Sequence, residues 1–212
     1  MPTLYYYPGN ASMAPHMVLE EIGAPYDRRL VDREKNAHKD PAYLRLNPNG
    51  VIPTFVDGDL VLFEAAAICL HLADRHPAAA LTPELGTADR AHFYKWLVHL
   101  TNTVQAELLT YFYPDRLTDS AASAAEVKAH AEARVGTMLD RIEAALAAGG
   151  PYLLGARFSA ADLYLLMLAR WTRGMTNPAR NRPAIRRLLD RLIKRPAVRR
   201  VFATEEIAPP FF

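Results

Sequence analysis

Residues 47–53, Asn-Pro-Asn-Gly-Val-Ile-Pro, decide the fold, because they place a dense turn directly before a strand. The β-prone segments Thr54–Val56 and Leu60–Phe63 follow, joined by the Asp-Gly chemistry of a hairpin turn. A proline that opens a strand after a turn is a candidate for a cis bond, and Ile52-Pro53 is such a pair. On these residues alone, a trans proline at the start of an edge strand is the alternative. A cis bond would turn the backbone of Ile52 outward, where it can pair with an extended peptide.

The residues before this turn predict a β-α-β unit. Thr3–Tyr7 is β-prone and stops at a Pro-Gly-Asn turn. Ser12 is placed to cap a helix whose apolar face ends at Gly23. A second strand is expected over Asp27–Val31, and a short helix over Pro41–Leu46. Together with the hairpin, these elements predict an α/β domain of βαβ-α-ββ-α order.

The predicted secondary structure changes from mixed strands and helices to helices alone after a predicted helix at Glu64–His76. A Pro-, Ala-, Gly- and Thr-rich connector follows, and no convincing strand appears beyond it. We therefore predict an α/β domain at 1–77, a linker at 78–88 and an all-α helical bundle at 89–212. The helices expected in the bundle are Asp89–Tyr113, Ala124–Ala148, Ala160–Arg173 and Ala184–Ile193.

Composition narrows the classes of function. The 212 residues carry a formal net charge of only +2, so charge alone implies no nucleic-acid partner. A single cysteine, Cys69, excludes an intramolecular disulfide and a cysteine-rich metal cage. His71 and His76 are five apart, off a shared helix face, and no metal site is predicted. No signal peptide or membrane span is recognised, so a soluble intracellular protein is expected.

Hydroxyl groups cluster at the first strand-to-helix turn, where Tyr6 and Ser12 flank Asn10. A hydroxyl donor at a helix N-terminus can stabilise a thiolate by hydrogen bonding and through the helix dipole. Lowering a thiol pKa from about 8.5 to about 6.5 raises the thiolate fraction at about pH 7 from roughly 3% to roughly 75%. Ser12 as a plain N-cap is the alternative, and capping is compatible with catalysis.

Glu64-Ala65 lies where a predicted strand turns into a helix. Backbone N–H groups at a helix N-terminus form an anion site, and the adjacent carboxylate can hold an ammonium group. The pair therefore suits the zwitterionic head of an amino acid. The alternative is that Glu64 only complements the positive end of the helix.

In their order and spacing, these segments resemble cytosolic glutathione transferases, and most closely the bacterial beta class. The resemblance spans essentially the whole chain. Its motifs are Tyr6-Tyr-Pro-Gly-Asn-Ala-Ser-Met-Ala-Pro-His16, the turn at 47–53, Glu64-Ala-Ala-Ala-Ile68, the helix-capping sequence Phe158-Ser-Ala-Ala-Asp162, Arg170-Trp171 and Lys194-Arg-Pro-Ala-Val198.

The resemblance implies a thioredoxin-like first domain that binds glutathione and a helical domain that completes the site. It implies that Ile52, followed by a cis Pro53, pairs with the cysteinyl part of glutathione. Glu64 and the N–H of Ala65 would hold the γ-glutamyl head. Family members usually have serine at the position of Ala65, so one hydrogen bond of roughly 0.5–1.5 kcal/mol is expected to be missing. A twofold homodimer is also implied.

The chain departs from the beta-class pattern at two residues of the glutathione site. Ala11 stands where that class has cysteine. Gln105 stands where it has a histidine, and the resemblance implies that Gln105 is a glutathione-binding residue. Alanine forms no mixed disulfide, and Cys69 is expected to be a buried small hydrophobe. We therefore predict Ser12 as the thiolate donor, with Tyr6 as its rival and Asn10 orienting the thiol.

The predicted function is conjugation of glutathione to small hydrophobic electrophiles in the cytoplasm, with glutathione as co-substrate and no other cofactor. The electrophile is expected to meet aromatic and methionine surfaces of the helical domain. A glutathione-binding carrier with little turnover, a glutathione-dependent isomerase or peroxidase, and a partner-binding module are the alternatives. Residues predicted to line the electrophile pocket are Tyr111, Phe112, Tyr113, Trp171 and Met175.

Overall fold

The computed structural model describes residues 1–212, and its packing divides the chain into two compact units. The first unit is built on a four-stranded sheet of order β2-β1-β3-β4. The central strand β1 pairs in parallel with β2 and antiparallel with β3, and β3 and β4 form the predicted hairpin. The strands are β1 (Thr3–Tyr6), β2 (Asp27–Leu30), β3 (Thr54–Asp57) and β4 (Leu60–Phe63).

Three helices follow strands or turns of this sheet, namely α1 (Met13–Ile22), α2 (Pro41–Leu44) and α3 (Ala65–Arg75). Helix α1 packs against α3. It ends at Gly23, whose φ of 72° is left-handed and whose N–H donates to the Leu19 carbonyl. Residues 13–19 of α1 are all buried, which fixes the helix within the unit, with its N-terminus just after the turn that follows β1.

The second unit is helical. Its helices are α4 (Ala88–Val98), α5 (Ala106–Phe112), α6 (Ala121–Gly149), α7 (Ala160–Trp171) and α8 (Pro183–Leu192). A π-helical segment, His99–Gln105, joins α4 to α5, so the single helix predicted over this stretch is continuous but changes its winding in the middle. No helix in the chain is both long enough and apolar enough to cross a bilayer.

A buried polar pair starts α7. Ser159 is the N-cap and Asp162 reaches back to accept its N–H at 2.8 Å, as in the predicted capping box. The Asp162 carboxylate also accepts the N–H of Leu153 at 2.9 Å and the Ser159 hydroxyl at 3.2 Å. Both residues are fully buried, so these hydrogen bonds join the loop before α7 to its first turn.

The last helix, α9 (Pro196–Thr204), was not predicted from the sequence. It packs on α1, and residues 193–211 therefore belong to the compact unit formed with residues 1–82. The sequence analysis assigned this segment to the helical bundle, because sequence order alone gives no sign that the chain returns to α1.

The fold class is confirmed: a thioredoxin-like α/β unit followed by an all-α unit.

Candidate functional site

The strand registers bring the predicted site segments to one end of the sheet. Thr54, the first residue of β3, pairs with Tyr5 of β1 on one side and with Phe63 of β4 on the other. The turn after β1, the Ile52-Pro53 pair and the start of α3 all lie next to these three residues in sequence. Segments from three parts of the sequence therefore meet at this end of the sheet.

The Ile52-Pro53 peptide bond is cis, as predicted. The side chain of Ile52 is buried with Val31 and Tyr43, while its backbone N–H and C=O make no hydrogen bond within the protein. An anchored residue with a free donor and a free acceptor can pair with an extended peptide.

Two side chains that the sequence analysis did not single out hold this loop. The Tyr43 hydroxyl donates to the Val51 carbonyl at 2.7 Å, and the Asn47 amide donates to the same oxygen at 2.8 Å. Asn47 is completely buried, and its Oδ1 accepts the N–H of Asn49. The signal available in the sequence was the asparagine that opens the turn, since asparagine side chains commonly bond the backbone two residues on.

A lysine lies beside the same loop. Gly50 has a φ of 59°, and a Cβ built on it would lie 2.8 Å from Lys39 Nζ and 3.0 Å from the His38 carbonyl oxygen. Glycine is therefore required both by its left-handed backbone and by this close approach. The exposed Lys39 side chain places a positive charge beside Gly50, which comes two residues before Ile52 in the turn.

Ser12, the predicted thiolate donor, is completely buried. Its hydroxyl donates to the Tyr7 carbonyl at 3.1 Å and accepts the Tyr7 N–H at 3.2 Å. The hydroxyl hydrogen is thus already used within the protein, and Ser12 braces the turn after β1. Ser12 as the thiolate donor stays a prediction, because its hydroxyl would have to leave the Tyr7 carbonyl to donate to a bound thiol.

Tyr6, the rival candidate, lies against α1 and β2. Its ring centre is 6.0 Å from that of His16, and the Arg28 guanidinium lies 5.9 Å from it. Tyr5 and Tyr7 instead pack against the group that contains Ile52, and side chains alternate between the faces of a strand. Tyr6 therefore points away from the Ile52 face, which disfavours it as a donor to a ligand there.

Asn10 is the candidate with a free donor. Its Oδ1 accepts the N–H of Ala11 at 2.7 Å, which leaves the Nδ2 amide group without a hydrogen-bond partner. The residue is half-buried at the turn that leads into α1. The N–H of Ser12 also donates no hydrogen bond. These donors converge at the positive end of α1, where an anion is stabilised.

A buried contact between a glutamate and a histidine joins this turn to the segment just after α9. Glu205, just after α9, accepts the N–H of Gly9 at 2.8 Å and lies 2.6 Å from Nδ1 of His16. Both side chains are completely buried. A histidine on the apolar face of α1 was the only sequence signal for this contact, because Glu205 lies 189 residues away.

Glu64 immediately precedes α3 with φ 70° and ψ 107°, a region that non-glycine residues rarely adopt. Such a conformation costs of order 1–3 kcal/mol and persists only where the surrounding structure imposes it. The Glu64 carboxylate is exposed and forms no ion pair, while Ala65 is buried behind it. The strained residue presents a free carboxylate beside the N-terminus of α3.

Cys69 lies on α3 and is completely buried, as predicted. Burial raises the pKa of its thiol, so the group stays protonated and unreactive at neutral pH. No group of three or more His, Cys, Asp or Glu side chains is arranged to hold a metal ion.

In the second unit, Gln105 is the last residue of the π-helical segment. Its Oε1 accepts the hydroxyl of the buried Tyr164, which also lies 3.3 Å from the Thr101 hydroxyl. The amide group of Gln105 is therefore oriented by α7, with its oxygen engaged and its nitrogen left as a donor.

Three of the predicted electrophile-lining aromatics, Tyr111, Phe112 and Trp171, are in contact near the end of α5. Phe112 is exposed and makes edge contacts with Tyr111 at 5.2 Å and Trp171 at 6.3 Å between ring centres. The Arg116 guanidinium covers the Tyr113 ring at 4.0 Å, and the Lys128 ammonium lies 4.9 Å from the Tyr111 ring centre. Met175 is buried after the turn that follows α7.

Comparison with known proteins agrees with this architecture. The glutathione S-transferase N-terminal domain model matches residues 2–74, and the C-terminal domain model matches residues 124–203. Glutathione S-transferase 3 of Zea mays is 33% identical over 91% of this chain and 89% of its own length.

Solved structures give the same result. A glutathione transferase homologue from Sulfitobacter, with bound glutathione, superposes with a TM-score of 0.88 at 28% identity, over 96% of this chain and 98% of that one. The beta-class glutathione S-transferase of Sphingomonas chungbukensis gives a TM-score of 0.84 at 29% identity, over 97% of this chain and 100% of that one. With both domains matched in order on this fold, the chain belongs to the glutathione S-transferase family.

Proposed function

We propose that this protein conjugates glutathione to small hydrophobic electrophiles. The thiolate sulfur bonds to an electrophilic carbon, and the leaving group departs with the electron pair of its own bond. Glutathione is the co-substrate, and the proposed chemistry calls on no other cofactor. The observation that carries the proposal lies at one end of the sheet, where the free backbone of Ile52 and the start of α1 are neighbours. The fold is that of a family with glutathione-binding members.

The proposed binding mode assigns one group to each part of the tripeptide. The backbone of Ile52 pairs with the cysteinyl residue, the Glu64 carboxylate holds the γ-glutamyl ammonium, and the N–H of Ala65 meets the γ-glutamyl carboxylate. Lys39, beside Gly50, is suited to the glycine carboxylate.

We assign the thiolate to the start of α1, with the Asn10 amide as its side-chain donor. The free Nδ2 of Asn10 and the free N–H of Ser12 support this assignment, whereas the Ser12 hydroxyl is engaged with Tyr7. For Ser12 to serve as the donor, its hydroxyl would have to leave the Tyr7 carbonyl. Asn10 and Ser12 are therefore the two candidates that experiment must separate.

Replacing Asn10 with alanine is expected to raise the pKa of enzyme-bound glutathione by about one unit, because a hydrogen bond to the thiolate is lost. For a bound thiol whose pKa rises from about 6.5 to about 7.5, the thiolate fraction at about pH 7 falls about threefold, and kcat/KM for an aromatic halide should fall by the same factor. Thiolate absorbance of the glutathione complex, titrated with pH, measures the first effect, and steady-state kinetics measures the second.

The matched control is Ser12→Ala. It removes both hydrogen bonds to Tyr7 and should lower the free energy of unfolding by about 1–3 kcal/mol, while the thiol pKa stays unchanged. A raised thiol pKa in Ser12→Ala, with none in Asn10→Ala, would reverse the assignment and make Ser12 the donor.

Glu64 offers a test that separates the effect of its carboxylate on binding from the effect of its backbone strain on stability. Glu64→Ala and Glu64→Gly both remove the carboxylate, and both should weaken glutathione binding by about tenfold. Glycine tolerates the positive φ, so Glu64→Gly should be more stable than Glu64→Ala by about 1 kcal/mol. Calorimetry with glutathione and urea unfolding measure the two effects. Unchanged glutathione affinity in both variants would remove Glu64 from the proposed site.

The proposed acceptor surface is the aromatic group at the end of α5, where the exposed ring of Phe112 meets Tyr111 and Trp171. Flat apolar electrophiles stack favourably on such rings. Gln105 supplies an oriented amide donor within the same unit.

A glutathione-binding carrier with little turnover is the second candidate. It is favoured by Ala11, which has no thiol, and by the engaged hydroxyl of Ser12. Tight binding of glutathione in a calorimeter, without conjugation across a broad panel of electrophiles, would select it.

A homodimer is part of the proposal. Each unit exposes apolar side chains of the kind that subunit interfaces bury: Val61 and Phe63 on β4 in the first, Tyr94 and Val98 on α4 in the second. The mass of the protein in solution tests this directly. The cytoplasmic location and a detoxifying role stay predictions.

A further inference from the structure

We propose that the acceptor surface selects aromatic electrophiles that carry a carboxylate or a similar anionic group, with Arg116 as the residue that recognises it. The inference rests on the proposed function and names the substrate class of the same surface. It starts from the geometry around Tyr113, where the guanidinium lies 4.0 Å from the ring centre.

Stacking on a ring fixes the plane of a guanidinium and leaves its edge free. Arg116 is exposed, and its side chain makes no ion pair or hydrogen bond within the protein. All five of its N–H donors therefore remain available, in the fork geometry that matches a carboxylate bidentately. A stacked arginine is also more ordered than a free one, so less side-chain entropy is lost when an anion binds.

The neighbouring aromatic rings would bind the aromatic ring of the electrophile. Phe112 precedes Tyr113 in sequence, and 43% of its surface is exposed although it contacts two other rings. Because Tyr113, which carries Arg116 over its ring, is the next residue, we expect an anionic substituent of an aromatic ring bound at Phe112 to reach the guanidinium. Lys128, over Tyr111 and without a salt bridge, adds a second positive charge.

The acidic groups nearby do not neutralise this arrangement. Asp115 is exposed and forms no ion pair with Arg116, although it is adjacent in sequence. Glu132 uses Oε1 to accept the N–H of Thr176 at 2.6 Å. An anionic substituent therefore meets a guanidinium whose donors are unused, whereas a cationic acceptor would be repelled.

The test compares two acceptors, a neutral chlorodinitrobenzene and an anionic chloronitrobenzoate, in the full-length protein. In Arg116→Gln, kcat/KM for the benzoate should fall by about tenfold while the value for the neutral acceptor is unchanged. Because each acceptor is compared with itself, differences in intrinsic reactivity cancel. The matched control is Arg187→Gln, which removes an exposed, unpaired charge on α8 and should change neither value.

An equal change for both acceptors in Arg116→Gln, or none for either, overturns the inference. If the wild type conjugates neither acceptor, the proposed function fails, and calorimetry with unreactive nitrobenzoate still tests the inference. Binding of nitrobenzoate that weakens in Arg116→Gln and not in Arg187→Gln supports it. Absent or equal binding refutes it.

Discussion

Replacing Asp162 with alanine is expected to lower the free energy of unfolding by about 3–5 kcal/mol at about pH 5. The side chain is completely buried and accepts hydrogen bonds from the N–H groups of Leu153 and Ser159. Each buried donor left without an acceptor costs about 1–3 kcal/mol, and the Ser159 hydroxyl loses its acceptor as well. Urea unfolding with an unchanged m-value is the measurement.

The penalty should also depend on pH. Burial raises the pKa of the Asp162 carboxyl to about 6, from 3.8. The folded protein therefore holds this proton more tightly than the unfolded chain does. The stability contributed by the group is complete below pH 3.8 and declines as the pH rises through about 6. The alanine penalty should accordingly be smaller at about pH 7 than at about pH 5.

Ser120→Ala is the control for a helix cap that is exposed. Ser120 accepts the N–H of Ser123 at 3.3 Å at the start of α6, and its loss should cost about 1 kcal/mol. If Asp162→Ala costs no more than this exposed cap, burial is not what makes the α7 start important.

Replacing Glu205 with alanine should destabilise the first unit by about 3–5 kcal/mol, because His16 and the Gly9 N–H lose their common partner in a site without water access. The loss reaches the proposed thiol site, since Gly9 is the residue before Asn10. We therefore expect a higher KM for glutathione in any Glu205→Ala protein that folds.

Glu205→Gln separates packing from charge. It keeps the shape and at least one acceptor, so the cost should be roughly half that of alanine. Arg200→Gln is the control nearer the surface, because Arg200 is exposed and its ion pair with Glu20 is expected to contribute only about 0–1 kcal/mol. Equal effects of Glu205→Ala and Arg200→Gln on stability and on KM would contradict the bracing role.

The sequence predicted those parts of the fold that local chemistry determines. A few neighbouring residues are enough to determine each of four features. These are the Asp-Gly hairpin, the proline after a turn, Gly23 at the end of α1 and the capping pair at α7. The order of these motifs was sufficient to indicate the family, because each marks a boundary between elements.

The contacts that the sequence analysis did not predict form only when the chain is folded, and some of them join residues far apart in sequence. The hydrogen bond that the Ser12 hydroxyl donates to the Tyr7 carbonyl at 3.1 Å is one such contact, and no sequence pattern reveals it. Glu205 and α9 give no local sign that they return to α1. The partners of Asn47 and Tyr43 became visible only once the loop was folded.

The π-helical segment His99–Gln105 also determines the phase of the helix that follows it. A turn closed by i→i+5 bonds holds one residue more than an α-helical turn, and one residue corresponds to a rotation of about 100° about the helix axis. Everything after it, including Tyr111 and Phe112, is rotated by that amount relative to α4. Relatives that lack this extra residue would present a different face of the same helix, so acceptor specificity can diverge by a single insertion without a substitution among the aromatic residues.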